Sequence, residues 1–157
     1  MPAVRKTISH ELKDAEKIIA RSQVCFLAMS DQDIPYVVPM NFGYYEGYLY
    51  LHTGPGGKKL DILARNPEVS IAFSLDEKLH VRHETVACSY SMLYKSVVAA
   101  GKVEFVDSPD EKKEILNHIM RQYTEKQDFR YNDPAVNNVV VFKVKIREIC
   151  THIREFG

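Results

Sequence analysis

Two lysines behind a run of glycines are the residues of this chain best placed to do chemistry. Gly54-Pro55-Gly56-Gly57 leads into Lys58 and Lys59, and the following stretch reads as a helix to about Arg65, ahead of Asn66-Pro67. Upstream, Tyr48-Leu49-Tyr50-Leu51-His52-Thr53 alternates as a strand does. A strand that hands a glycine loop to a helix N-terminus suits an anion. Glycine lets backbone N–H groups approach it closely, and the helix end adds partial positive charge. The lysine pair favours phosphate. This is not a Walker loop, because G-x-x-x-x-G-K-[ST] is absent and Lys59 stands where Ser or Thr would follow the lysine. A helix entry with two solvated lysines explains the same residues, so the motif alone leaves both readings open.

Other reactive side chains are weaker signals. His52 ends the strand before the glycines, and an unperturbed imidazole titrates near neutrality, which makes it a candidate proton donor as well as a packing residue. His80, His83 and Cys88 fall close together but match no zinc spacing, so no metal site is expected. Cys25, Cys88 and Cys150 are scattered and odd in number, as reduced thiols of a cytoplasmic protein would be.

Composition narrows the partners. The chain has 157 residues, enough for a single domain over 1–157 with its own core. Its 21 basic and 21 acidic side chains cancel, which argues against nucleic acid, since phosphate-tracking surfaces need a basic excess. No long apolar run exists to span a membrane, and Met1 to Lys6 lacks a signal-peptide core, so a cytoplasmic location is expected.

The elements that must carry the loop read as short strands joined by tight turns. Ser9 can cap a helix over 10–21, and strands follow at Val24–Met29, Tyr36–Phe42 and Tyr48–Thr53. Pro39 implies an edge or a bulge, because proline cannot donate to a ladder. Val69–Phe73 is a fourth strand, and 75–90 reads as irregular except for a brief pairing at Leu79-His80-Val81. Tyr94–Val106 is a fifth, with a bend at Gly101. Ser108-Pro109-Asp110-Glu111 is a capping box that opens a helix with Ile115, Leu116, Ile119, Met120 and Tyr123 on its apolar face. A polar connection over 125–137 leads to a sixth strand, Val140 to Arg147. The short spacings predict six mainly antiparallel strands forming a small closed barrel with peripheral helices.

Three stretches together resemble one family. Ile34-Pro35-Tyr36-Val37-Val38-Pro39-Met40-Asn41-Phe42-Gly43-Tyr44 is the first, and Leu49 to Lys59 is the second. The third is Ala87-Cys88-Ser89-Tyr90-Ser91-Met92-Leu93-Tyr94-Lys95-Ser96 with Val97 to Val103. Their order is similar to that in pyridoxamine 5′-phosphate oxidase-like flavoproteins, and within them to the nitroimidazole-resistance branch. The resemblance implies a Greek-key split β-barrel that binds FMN and works as a homodimer with flavin sites at the subunit interface. It implies flavin-ring and ribityl contacts at Val38, Pro39, Met40 and Asn41, and phosphate contacts at Thr53, Lys58 and Lys59. Tyr94 and Ser96 would close the site from the other subunit, and His52 would lie near the flavin as the candidate catalytic residue. Lys58 stands where the branch commonly has arginine, keeping the charge but losing a bidentate fork. The ending Ile149 to Gly157 departs from the branch's usual C-terminus. The implied activity is reduction of a small, nitroaromatic acceptor by an FMN-dependent oxidoreductase. The other reading is a split barrel that holds flavin or haem without turnover, with His52 as a possible axial ligand.

Overall fold

The computed structural model describes residues 2–157, built around one antiparallel sheet of eight strands. In chain order these are β1 (Val4–Ser9), β2 (Cys25–Asp31), β3 (Ile34–Met40), β4 (Gly43–Tyr45), β5 (Tyr48–Thr53), β6 (Glu68–Val81), β7 (Tyr90–Val106) and β8 (Val140–Phe156). Four α-helices lie around it: α1 (Leu12–Ile19), α2 (Lys58–Arg65), α3 (Pro109–Tyr123) and α4 (Asp133–Asn138). No helix among the described residues is long and apolar enough to cross a membrane.

The sheet runs β3-β2-β6-β7-β8-β5-β4, with β1 added to the far part of β8. Its edges, β3 and β4, are consecutive in the chain and separated only by Asn41 and Phe42. Three residue steps from Met40 to Gly43 reach about 10 Å at most. The sheet must therefore curl until its edges are neighbours, although no ladder joins β3 to β4 among the described residues. Closure of the barrel, expected from the strand spacing, is not shown by a ladder across that seam among the described residues, and Pro39 lies on an edge strand as its missing donor requires.

Alternation fixes which faces are inside. Leu27, Met29, Leu49, Leu51, Ile71, Phe73, Val97, Phe142 and Val144 are buried in the barrel, where Phe73 meets Phe42 edge-on with centroids 5.1 Å apart. A second apolar cluster of Val106, Ile115, Ile119 and Val141 lies where α3 covers the outer face of β5 and β8. α3 presses hard on β4. A Cβ on Gly43 would lie 2.6 Å from the Ile119 backbone N and 2.7 Å from the His118 carbonyl carbon, so only glycine allows this approach. The end of α3 also pins the seam. The Tyr123 hydroxyl accepts from Phe42 N–H at 3.0 Å and donates to the Gln23 carbonyl at 2.7 Å, while Gln122 donates to the carbonyls of Ile19, Ala20 and Ser22.

Several boundaries differ from the sequence reading, each for a physical reason. Ser9 does not cap α1. It is paired with Thr151 as the last residue of β1, and the helix starts after Glu11, with Ser9 Oγ accepting from Glu11 N–H and donating to Asp14. β6 does not stop at Phe73. It passes a bulge between Leu75 and Lys78, where Asp76 takes a positive φ of 59° and pairs with Arg21, and then continues to Val81 opposite Tyr90. β7 accordingly begins at Tyr90, and β8 runs on to Phe156 because β1 and β7 flank its second half. The polar connection contains α4, whose last carbonyls accept from buried Lys112: Nζ donates to Val136 and Val139 at 3.3 and 2.8 Å. The Ser108 half of the capping box forms, its Oγ accepting from Glu111 N–H, while the Glu111 carboxylate pairs with Lys143 instead of reaching back to Ser108, and the bend at Gly101 is a register shift against β8.

Candidate functional site

The glycine loop leaves β5 at Thr53 and enters α2 at Lys58. Gly56 and Gly57 hold positive φ values of 79° and 100°, and a Cβ on Gly54, Gly56 or Gly57 would meet nothing within 4 Å. The loop backbone therefore borders open space, in a conformation that other residues resist. No side chain caps α2, and its first satisfied amide is Asp61 N–H, donating to the Gly57 carbonyl at 3.2 Å. The amides before it lack intrahelical acceptors, as at any helix start. Neither Lys58 nor Lys59 forms an ion pair among the described residues. Uncapped amides, an open glycine backbone and two lysines outside any ion pair are together the chemistry that a dianion would require.

The two lysines straddle the end of β5. Lys58 Nζ lies 4.6 Å from the centroid of the Tyr36 ring, on β3. Such a contact contributes about 0.5–1 kcal/mol at an exposed position and orients the side chain. Tyr36 was not singled out from the sequence, and only the three-dimensional approach of β3 to α2 reveals its part. Lys59 lies on the His52 side, close enough that its charge helps to push the imidazole pKa below the usual 6.5. Burial is the larger cause. His52 Nδ1 is buried without a hydrogen-bond partner, a costly state for a polar atom and one often tied to function.

Register decides which way the remaining side chains face. β5 pairs with β8 without a break from Tyr48 opposite Lys145 to Thr53 opposite Val140. Thr53 thus shares the inner face with Leu49 and Leu51, while His52 shares the outer face with Tyr50, whose ring stacks on His118 under α3. On β3, Val38 and Met40 turn to the core with Tyr36, Pro39 turns outward, and Asn41 is exposed at the seam. Because β3 is an edge, the backbone groups on its free side are unpaired and can meet a ligand even where the side chains do not.

Tyr94 and Ser96 are not brought to this cluster within one chain. They lie on β7 opposite Arg154 and His152, whereas His52 faces Val141 at the other end of β8. Val141 to His152 is about 35 Å of strand.

The family model described as pyridoxamine 5′-phosphate oxidase matches residues 11–153. No curated protein matches the chain significantly. Among solved structures, a candidate 5-nitroimidazole antibiotic resistance protein from Bacteroides thetaiotaomicron is 42% identical, with a TM-score of 0.83 over 97% of this chain and 89% of that one. The flavocytochrome Anf3 from Azotobacter vinelandii is 17% identical, with a TM-score of 0.82 over 94% of this chain and 69% of that one. The FAD and heme binding protein from Mycobacterium smegmatis is 16% identical, with a TM-score of 0.85 over 94% and 73%. At such identities these last two show the fold alone. The family match over most of the length, joined to the 42% identical relative, places the chain: it belongs to the pyridoxamine 5′-phosphate oxidase-like family, in the nitroimidazole-resistance branch.

Proposed function

We propose that the chain is an FMN-dependent oxidoreductase acting on a small nitroaromatic acceptor, as a homodimer with its flavin sites at the subunit interface. The open glycine cradle with two unpaired lysines carries this reading, because it fits a phosphate. Lys58, Lys59 and the first amides of α2 would hold that group, Thr53 would meet the ribityl chain, and the edge of β3 from Val38 to Asn41 would border the ring. FMN, when bound, supplies reversible electron transfer between a donor such as a nicotinamide and the acceptor. His52, held beside Lys59, is the candidate proton donor to the acceptor.

Because Tyr94 and Ser96 lie far from the cradle within one chain, a shared site requires a second copy to bring them to it. Light scattering on the flavin-loaded protein at micromolar concentration should give twice the 18.0 kDa chain mass, with two flavins per dimer. A strictly monomeric, fully flavinated species would refute the shared site. One observation favours haem in the same fold: a neutral imidazole is what an axial ligand requires, and burial favours the neutral form of His52. The flavocytochrome and the FAD and heme binding protein share this architecture.

A further inference from the structure

At the opposite end of the paired β7 and β8 strands from the lysines, a cleft of about 450 Å³ opens between the start of β1, the end of β6 and the last residues of β8. We propose that it binds the oxyanion group, carboxylate or phosphate, of a small molecule.

Arg82, Arg154, His80, Ser91 and Cys88 supply its polar wall, and no carboxylate lines it. Neither arginine has an acidic partner among the described residues, whereas Arg21, Arg65 and Arg147 each do. Arg154 Nε is moreover buried without an acceptor. A buried, unsatisfied donor of a charged group is costly, and both arginines line this one cleft, where guanidinium donors suit the oxygens of a carboxylate or phosphate. The wall is also fixed in place. Arg154 sits on β8 between Lys6 of β1 and Tyr94 of β7. Ser89 Oγ ties the turn before β7, accepting from His83 N–H at 3.0 Å and lying 2.6 and 2.7 Å from the carbonyls of His83 and Val86, and Arg82 N–H donates to the Ser89 carbonyl at 3.3 Å. The volume falls in the usual range for small-molecule sites, about 300–1,000 Å³.

Cys88 is an exposed thiol on this wall and reports on the cleft directly. Cys25 is buried, its thiol pushed up to about 12 by desolvation, and Cys150 lines a different cleft. The test follows carboxymethylation of Cys88 by iodoacetate, with mass mapping of the site and iodoacetamide as the neutral reference. Benzoate and inorganic phosphate are added separately at matched ionic strength. At least one should slow the reaction saturably in the millimolar range or below, and which one does identifies the oxyanion. Arg154→Met, and separately Arg82→Gln at an exposed position, should raise the half-protecting concentration roughly tenfold or more. Absence of saturable protection by either anion, or protection unchanged in both variants, would overturn the proposal.

Discussion

Apoprotein carrying Lys58→Ala together with Lys59→Ala is expected to bind FMN about 10²–10⁴-fold more weakly than the native apoprotein, at two charge-assisted contacts of about 1.5–3 kcal/mol each. Its affinity for riboflavin, which lacks the phosphate, should change little. The contrast between the two ligands isolates the phosphate from any general damage to the barrel. The lysines are adjacent, so the single variants need not sum to the double one. Lys58 leans on Tyr36 and Lys59 lies near His52, which places them on two sides of the β5 end. Lys58→Arg keeps the charge and should retain most of the affinity. Flavin fluorescence titrations measure all of these, and equal FMN affinity in the native and double-variant proteins would remove the lysines from the site.

His52→Ala, with flavin occupancy restored, should slow anaerobic reoxidation of reduced FMN by a nitroaromatic about 10²–10⁴-fold, the usual contribution of a positioned proton donor. The pH profile separates this role from packing. Burial and Lys59 hold the imidazole pKa below 6.5, so the protonated form grows only as pH falls through and beneath that value. The native rate should therefore rise on acidification and the variant's rate should stay flat. Stability moves the other way. A depressed folded-state pKa means that the stabilisation from neutral His52 is present above 6.5 and is lost as pH falls. His118 is shifted in the same direction, also by burial first, so the rate is the cleaner readout. An unchanged rate and profile in the variant would leave His52 as a packing residue on the outer face of β5.

Features set by local chemistry could be read from the chain, and those set by distant contacts could not. The cap at Ser108, the edge position of Pro39 and the bend at Gly101 follow from hydrogen-bonding capacity or steric freedom at single residues. β1 leaves no signal in the sequence because its middle residues are all exposed and show no buried period, and the second half of β8 depends on it. The continuation of β6 was hidden by the bulge at Asp76, whose bonds to Arg21 span 55 residues of sequence. In the site, the glycine loop and lysines stood out because their chemistry is consecutive in the chain. Tyr36 beneath Lys58, and the pairing of Arg82 with Arg154 around one cleft, exist only once β3, β6 and β8 have been placed.

The central claim is that this split barrel holds FMN in the cradle ahead of α2. The absorption spectrum of the protein as purified, or after incubation with FMN and removal of the excess, tests it most directly. The account predicts two flavin bands, in the near ultraviolet and the blue, bleached by anaerobic reduction and restored by the acceptor. An intense Soret band, or a colourless protein that retains no added FMN, would contradict it.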